Sequence, residues 1–552
     1  MKRLLYTILF AVLCFTACDN KGQGQEEAFP DHKGYRIYVV DNTGWNNLNL
    51  YMYGTVNDLV GAWPGMKPSG KITIKNKEYK YYDIDQNKAY GNTEKLIFNN
   101  TTGSQTKEEP SIKFEKWADF FFTVTSAGAE GFNGGSRLTI EIDNGPIEAT
   151  AKKVAEITVP DTEFYRIYQA NPKLYKEPRL DNLKARISTI KSLGTDILYL
   201  MPIYTEGSVN SVGSPYCVKD FRAVNPKYGT LSDLKALVDA AHEAGMKVMF
   251  DWVANHTAWD CAWTSTHKEW YKQDSSGKIV NPTADGNWTD VAQLDYSSTA
   301  LREEMTDCML YWVRELDIDG YRCDYAHGPD GKKSGSFDEF WKYAINALRQ
   351  QKPGFIMLAE SDYDKMFTDG FDMNYSRPTR SKLISSFVSG DAEGLASTIV
   401  SELKKAPAGC SKLMFQTNHD EASILSPRRE FPSDFAVINS FALLRALPAS
   451  TLLYGSQEIG YSQAIDFCKF DNSFNWDVEQ SYLSYYAKVL QQAESIKRGN
   501  KLTLYTAGPV LILEYADGGM LAVNTSSRQV TVTLHDGRTE VMGAYSMRVL
   551  DS

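Results

Sequence analysis

The sequence predicts an α/β protein: a (β/α)₈ barrel of the TIM type with an N-terminal β-sandwich and a C-terminal β-domain. Three observations predict it. From about Glu163, short apolar runs alternate with amphipathic stretches over most of the chain, the rhythm of a parallel sheet faced by helices, at a length that suits a barrel. Asp251, Asp324 and Glu360 each end an apolar run, and His419 and Asp420 stand just beyond another; in a barrel those ends converge on one face. Helix capping accounts easily for one such acid and badly for four coincident segments. Before about Asp143 and after about Ser481 the texture changes to short alternating strands broken by Gly, Asn and Asp.

Taken in order, residues 1–18 read as an export signal. Lys2 and Arg3 precede an apolar run over 4–13, too short to cross a bilayer as a helix. Phe15-Thr16-Ala17-Cys18 resembles a bacterial lipoprotein cleavage site with Cys18 as the lipidated residue, although Phe15 departs from the usual aliphatic. An ordinary secretory signal with an incidental Cys is the alternative. Residues 19–33 are polar and aperiodic, as in a tether. The expectation is an exported protein, lipid-anchored to a bacterial outer membrane on its surface or periplasmic face.

Residues 34–145 read as a β-sandwich, from runs such as Tyr35-Arg-Ile-Tyr-Val-Val and Phe120-Phe-Phe-Thr-Val-Thr, with a linker over 145–153. Residues 160–482 carry the barrel. Ile167-Tyr168-Gln169 is the first strand, and Leu183, Ile187 and Ile190 mark a helix ended by Gly194. Ile197-Leu-Tyr-Leu-Met201 is a buried strand. Leu234, Leu237, Val238 and Ala241 mark a helix stopped at Gly245, before the strand Val248-Met-Phe. Met305, Cys308, Met309 and Trp312 mark another, before the run 318–322; Phe355-Ile-Met-Leu and Leu413-Met-Phe repeat the pattern. A small domain is inserted at about 257–300. Residues 483–552 form the C-terminal β-domain, with a hairpin turn at Asp517-Gly518-Gly519.

Bulk properties narrow the function. With 552 residues, about two to four domains are expected. The net charge of −10 argues against nucleic acid as a partner, since phosphate binding needs clustered Lys and Arg. Cys217, Cys261, Cys308, Cys323, Cys410 and Cys468 show no metal-ligand spacing, which makes buried free thiols the default.

The chemistry lies in four segments: Asp251-Trp-Val-Ala-Asn255-His256, Gly320-Tyr-Arg322-Cys-Asp324, Leu358-Ala-Glu360-Ser and Thr417-Asn418-His419-Asp420. They gather carboxylates, imidazoles and a guanidinium, without a Ser or Cys nucleophile motif. Such a set suits stabilisation of a developing cation, as glycosidic cleavage requires. The four segments closely resemble the signature regions of the α-amylase superfamily of glycoside hydrolases. Tyr216-Cys-Val-Lys-Asp220, Asn225-Pro-Lys-Tyr-Gly229-Thr230, His242-Glu-Ala-Gly245 and Tyr454-Gly-Ser-Gln-Glu458 agree with it, and the resemblance covers roughly 163–552.

The resemblance implies Asp324 as nucleophile and Glu360 as general acid/base, about 5–5.5 Å apart in a retaining enzyme. Glu360 then needs a raised pKa while Asp324 stays ionised. Arg322 would hold the Asp324 carboxylate from two residues back on the same strand face. Asp420 would grip sugar hydroxyls, His256 and His419 would add hydrogen bonds, Tyr216 would stack beneath the ring, and Asp251 would support Arg322. Trp259, Trp263 and Trp270 are either subsite rings or the core of the inserted domain. Many relatives place Lys-His three and four residues after the nucleophile; here stand His327 and Gly328, while Asn255, often a calcium ligand, is retained. The chemistry needs no cofactor, and a structural calcium at Asn255 stays open.

Trp45, Tyr51, Tyr53, Ala62-Trp63-Pro64-Gly65 and the segment 97–106 resemble a starch-binding module, with Tyr51, Tyr53 and Trp63 as candidate glucan contacts or, alternatively, sandwich core. Tyr51 and Tyr53 share one strand face, so both should be exposed or both buried. The function expected is a retaining endo-hydrolase of α-1,4 bonds in starch-like glucans. Rivals are a neopullulanase or α-glucosidase specificity, transglycosylation, and a non-catalytic glucan binder. Starch or another α-glucan, the membrane through its lipid anchor and other glucan-uptake proteins are the partners considered.

Overall fold

The structure is a computed structural model. It describes residues 35–53, 60, 64–74, 77–84, 95–101, 120–125, 128–133, 136–141 and 147–550, except 285, 329–334, 478–479 and 498. The export signal, the tether, Cys18 and Trp63 lie outside the described residues. The chain divides into two compact units, 1–129 and 130–552.

In the first unit, Gly70–Ile74, Lys77–Ile84 and Tyr35–Asn42 pair antiparallel, and Phe120–Thr125 joins Tyr35–Asn42 in parallel. Asn49–Tyr53 and Lys95–Asn99 form a second antiparallel pair. Ile37, Val39, Leu50, Met52, Phe98 and Phe122 are buried, and the Phe98 and Phe122 rings meet at 5.3 Å, so the two sheets share one core. Tyr51 is half-buried between the buried Leu50 and Met52.

The second unit holds the barrel. Eight strands, β1 (Arg166–Ala170), β2 (Ile197–Leu200), β3 (Lys247–Val253), β4 (Gly320–Asp324), β5 (Ile356–Ala359), β6 (Met373–Tyr375), β7 (Ser411–Phe415) and β8 (Ser450–Tyr454), close in sequence order. All neighbours are parallel, and β8 returns to β1. Strand alternation sorts the side chains. Ile167, Tyr199, Met249, Leu358, Leu413, Phe415 and Leu452 form one buried cluster inside the barrel, while Tyr168, Leu198, Val248, Tyr321 and Met357 join the larger core beneath the helices.

The helix Leu231–Glu243 starts at a capping box of Thr230 and Asp233 and buries Leu234, Leu237, Val238 and Ala241, as the spacing predicts. The helix Thr299–Leu316 likewise buries Met305, Cys308, Met309 and Trp312. The helix predicted around Leu183 to Ile190 is instead two short ones, Arg179–Lys184 and Ile187–Ser192. The break comes at Arg186, whose guanidinium pairs with buried Glu458 at 3.3 Å.

The linker predicted over 145–153 is a correction. Ile147–Thr150 pairs with Val530–Thr533, and Lys152–Thr158 pairs with Lys501–Ala507. Both strands therefore belong to the C-terminal β-region, where Lys501–Ala507, Val510–Tyr515, Met520–Asn524 and Met547–Leu550 continue the sheet antiparallel. The hairpin at Asp517-Gly518-Gly519 is present between the second and third of these. All six cysteines of the described residues are free, four of them buried. No helix among the described residues is long and apolar enough to cross a membrane.

Candidate active site

The period of two along β4 turns Arg322 and Asp324 inward together. Arg322 is fully buried. Its Nη1 meets Asp251 Oδ1 at 2.9 Å, Asp251 Oδ2 at 3.1 Å and Asp324 Oδ1 at 3.2 Å, and its Nη2 lies 3.0 Å from Glu360 Oε1. A cation buried this deeply persists only when paired, and here three carboxylates surround it. Asp251, on β3, also accepts from the hydroxyls of Tyr199 and Tyr216, the latter at 2.9 Å.

Glu360 stands one residue beyond β5. Its Oε2 accepts the backbone N–H of Tyr325 at 3.0 Å, and its Oε1 also receives Arg377 Nη2 at 3.1 Å. Tyr325 directly follows Asp324 and holds φ at +45°, in the left-handed region that costs an ordinary residue roughly 1–2 kcal/mol. That turn is what aims its N–H at Glu360.

His419 and Asp420 follow β7 at the start of the short helix His419–Ile424, whose N-cap Asn418 accepts from the Glu421 N–H at 3.0 Å. Gln169 Nε2 donates to His419 Nδ1 at 2.9 Å, which leaves the proton on Nε2. From there it is given to the Tyr216 oxygen at 2.8 Å, and Tyr216 in turn donates to Asp251. The Tyr216 and His419 rings stack at 5.2 Å.

One cavity of about 490 Å³ is lined by Tyr216, His256, Asp324, Glu360, His419 and Asp420. Six sequence-predicted residues thus meet in one place, with Arg322 and Asp251 buried beneath. The cavity also takes in Trp288, Tyr325, His327, Arg377 and Phe467, which sequence reasoning did not single out as contacts. Trp288 approaches the His256 ring at 5.7 Å and the Tyr325 ring at 5.1 Å. None of the three tryptophans considered earlier lines the cavity: Trp263 stacks on Phe221 at 5.4 Å, Trp270 is buried, and Trp259 Nε1 donates to the Thr289 carbonyl.

Burial, and then Arg322, lower the His419 pKa to about 3, and burial lowers that of His256 to about 4, so both are neutral hydrogen-bonding groups at pH 7. Burial and the Glu360 charge push Asp420 up to about 6. The carboxylate pair reverses the expectation from sequence. Burial alone would raise Glu360, but Arg322, Arg377 and the Tyr325 N–H outweigh it and hold Glu360 down at about 2. Burial and the neighbouring Glu360 charge push Asp324 well above the usual carboxylate range, against the pull of Arg322. The surroundings thus favour the charged form of Glu360 over that of Asp324.

The donors around Asn255 do not fit a calcium ion. Gln293 Nε2 donates to Asn255 O at 2.9 Å, Asn255 Oδ1 at 3.0 Å and Leu294 O at 3.2 Å, so an amide nitrogen fills the space among three oxygens. The small cavity beside it is lined, among the described residues, by Lys272 and by no carboxylate, whereas calcium takes several oxygen ligands with acidic ones prominent. Among the described residues no cluster of three acidic, His or Cys side chains is arranged for a metal. Gly328 sits at φ +58°, where a β-carbon would lie 2.2 Å from the Phe337 ring.

Comparison with known proteins agrees with this geometry. A profile described as the alpha amylase catalytic domain matches residues 179–481. Alpha-amylase MalA of Haloarcula japonica is 25% identical over 438 residues, 75% of this chain and 63% of that protein. A cyclomaltodextrinase of Thermoanaerobacter pseudethanolicus is 24% identical over 400 residues, 66% of each. The matches therefore span just under two-thirds of these relatives' own lengths. Among solved structures, an alpha-amylase from Lactobacillus plantarum is 25% identical with a TM-score of 0.56, over 70% of this chain and 98% of that one.

Proposed function

The chain belongs to the α-amylase family, and from that premise we propose that it hydrolyses internal α-1,4 bonds of starch-like glucans with retention of configuration. The observation that carries the reading is the convergence of Asp324, Glu360 and Asp420 on one cavity above a buried Arg322. Asp324 attacks the anomeric carbon as a carboxylate, and Glu360 gives its proton to the departing oxygen. The covalent glycosyl-Asp324 is then opened by water, whose proton returns to Glu360. Asp420 accepts hydrogen bonds from the sugar hydroxyls and tightens on them in the transition state. Neutral His256 adds a hydrogen bond, neutral His419 holds the Tyr216 hydroxyl in place, and Tyr216 lies beneath the ring.

The cycle requires Glu360 protonated and Asp324 ionised, against the direction in which their surroundings push each group. A bound sugar supports that state by excluding water and bringing hydroxyl donors to Asp324.

A sibling specificity for short, cyclic or pullulan substrates has its own support in the likeness to a cyclomaltodextrinase. Lys173, buried, donates to the carbonyls of Gly213 at 2.7 Å and Cys468 at 3.2 Å, fixing the two loops that bring Val212, Phe467 and Cys468 to the cavity wall. A timed product profile separates the two readings. Mixed maltooligosaccharides from soluble starch with pullulan intact support the endo-amylase; panose from pullulan, or glucose alone, supports the sibling.

Around this core we read 34–145 as a starch-binding module using Tyr51, Tyr53 and Trp63. We read Cys18 as a lipid anchor that holds an exported protein at an outer membrane, beside glucan-uptake partners.

A further inference from the structure

Arg377 belongs to none of the four motifs. It opens the helix Arg377–Ser389 directly after β6 and lines the cavity with Asp324, Glu360 and Asp420. Its side chain is 36% exposed, whereas Arg322, the other guanidinium on Glu360, is wholly buried against Asp251. Arg322 is therefore fixed, and Arg377 is the partner that can leave. A second carboxylate stands ready for it: Asp362 Oδ1 already accepts the Arg377 backbone N–H at 3.1 Å, and Asp362 Oδ2 lies 3.6 Å from its Nη1. The Tyr375 ring supports the guanidinium at 5.2 Å.

We propose that Arg377 is a positioning residue that acts as a gate: in the empty site its guanidinium ties down the Glu360 oxygen, and an arriving sugar displaces it toward Asp362. The proposal rests on Glu360 being the general acid/base. A carboxylate that accepts from the Arg377 guanidinium and a backbone N–H, and is ion-paired to Arg322, has no reason to keep a proton. The catalytic cycle begins with that proton in place. Removing the one mobile cation is the least disruptive way to restore it, because Arg322 and the Tyr325 N–H are built into the barrel.

The other charged or titratable groups facing Glu360 are Asp324 and Arg322 on β4, Asp251 on β3 and Tyr375 on β6, with His419 and Asp420 after β7. His419 is neutral at working pH, and Asp251 is committed to Arg322 and two tyrosines. Asp324 and Asp420 oppose ionisation of Glu360, so Arg377 works against them.

The test is the pH dependence of maltooligosaccharide hydrolysis by the full chain and by Arg377→Gln and Arg377→Lys. The profile of kcat/KM reports the free enzyme and that of kcat the bound complex. For the wild type, the basic limb of kcat/KM should lie below that of kcat. Arg377→Gln should raise the kcat/KM limb by about one pH unit or more, the effect of removing an adjacent opposite charge, and leave the kcat limb in place. Arg377→Lys should return the limb most of the way. Asp362→Asn, which removes only the receiving carboxylate, should raise KM severalfold without moving either limb. Hydrolysis of α-maltosyl fluoride, whose leaving group needs no proton, should not respond to Arg377→Gln in its basic limb.

Unmoved limbs in Arg377→Gln, or limbs of kcat and kcat/KM that move together, overturn the gate. If Glu360→Gln is inactive while the Arg377 limbs stay put, the gate alone is wrong. If Glu360→Gln hydrolyses at the wild-type rate, the acid/base reading fails and takes the gate with it.

Discussion

Arg322→Met tests the electrostatic keystone of the barrel. The guanidinium contacts Asp251, Asp324 and Glu360 at 2.9 to 3.2 Å, and none of its surface reaches solvent. Methionine fills much of the volume but leaves three carboxylates without their shared cation. Breaking a buried pair from one side costs roughly 3–5 kcal/mol, because the orphaned charge stays buried. The loss should depend on pH in a definite sense. In the variant these carboxyls lose their depressing partner, so the folded state binds protons more readily than the unfolded chain. Stability then falls as pH rises, and the gap to wild type is widest near pH 7–8 and narrows below about pH 5. Urea unfolding followed by tryptophan fluorescence across pH 4–8 reads both quantities. A double-mutant cycle with Asp251→Asn should show coupling of about 0.5–3 kcal/mol. A loss under about 1 kcal/mol, or a gap that widens in acid, would refute the reasoning.

Three further outcomes follow from the same structure. Chelation with EDTA should leave melting temperature and activity unchanged, while Gln293→Ala, which strands three buried oxygens, should cost about 1–3 kcal/mol in chemical denaturation. Wild-type linkage has two opposing parts: Glu360, held near 2 against about 4.3 unfolded, adds stability that is complete above the unfolded value and lost as pH falls through about 2. Asp420, raised to about 6 from about 3.9 unfolded, costs stability increasingly as pH rises between those values, so Asp420→Asn should stabilise at pH 7 while lowering kcat, which paired melts and rates will read. Replacing Tyr51, Tyr53 and Trp63 together by alanine should weaken retention on starch granules severalfold and leave maltotriose turnover intact; equal losses in both would assign those rings to structure.

How much of this was legible in the sequence varies with the physics of each element. β1 to β5 and β7 announce themselves as apolar runs beside amphipathic helices. β6 does not, because Met373-Asn-Tyr375 is three residues long with a polar centre. β8 is masked because the preceding helix, Asp434–Ala446, is buried nearly all round, so periodicity disappears before the strand begins. Ile147–Thr150 reads as a linker since its partner, Val530–Thr533, lies at the far end of the chain.

The catalytic acids were visible as residue types at strand ends, but their protonation was not. That depends on Arg377, an unremarked arginine brought to Glu360 only by the register of β6 against β5. Asn255 carried a metal-ligand signal that Gln293, far along the chain, converts into an amide clasp. Trp288 was hidden among other tryptophans of the inserted segment, and only the fold tells them apart.

The most direct test of the central claim is mass spectrometry of the full chain after incubation with a 5-fluoro-α-glucosyl fluoride, which slows release of the covalent intermediate. The account predicts one added fluoroglucosyl group, on the peptide that contains Asp324, and none in Asp324→Asn. A label on Glu360, or no label while starch is still cleaved, would contradict it.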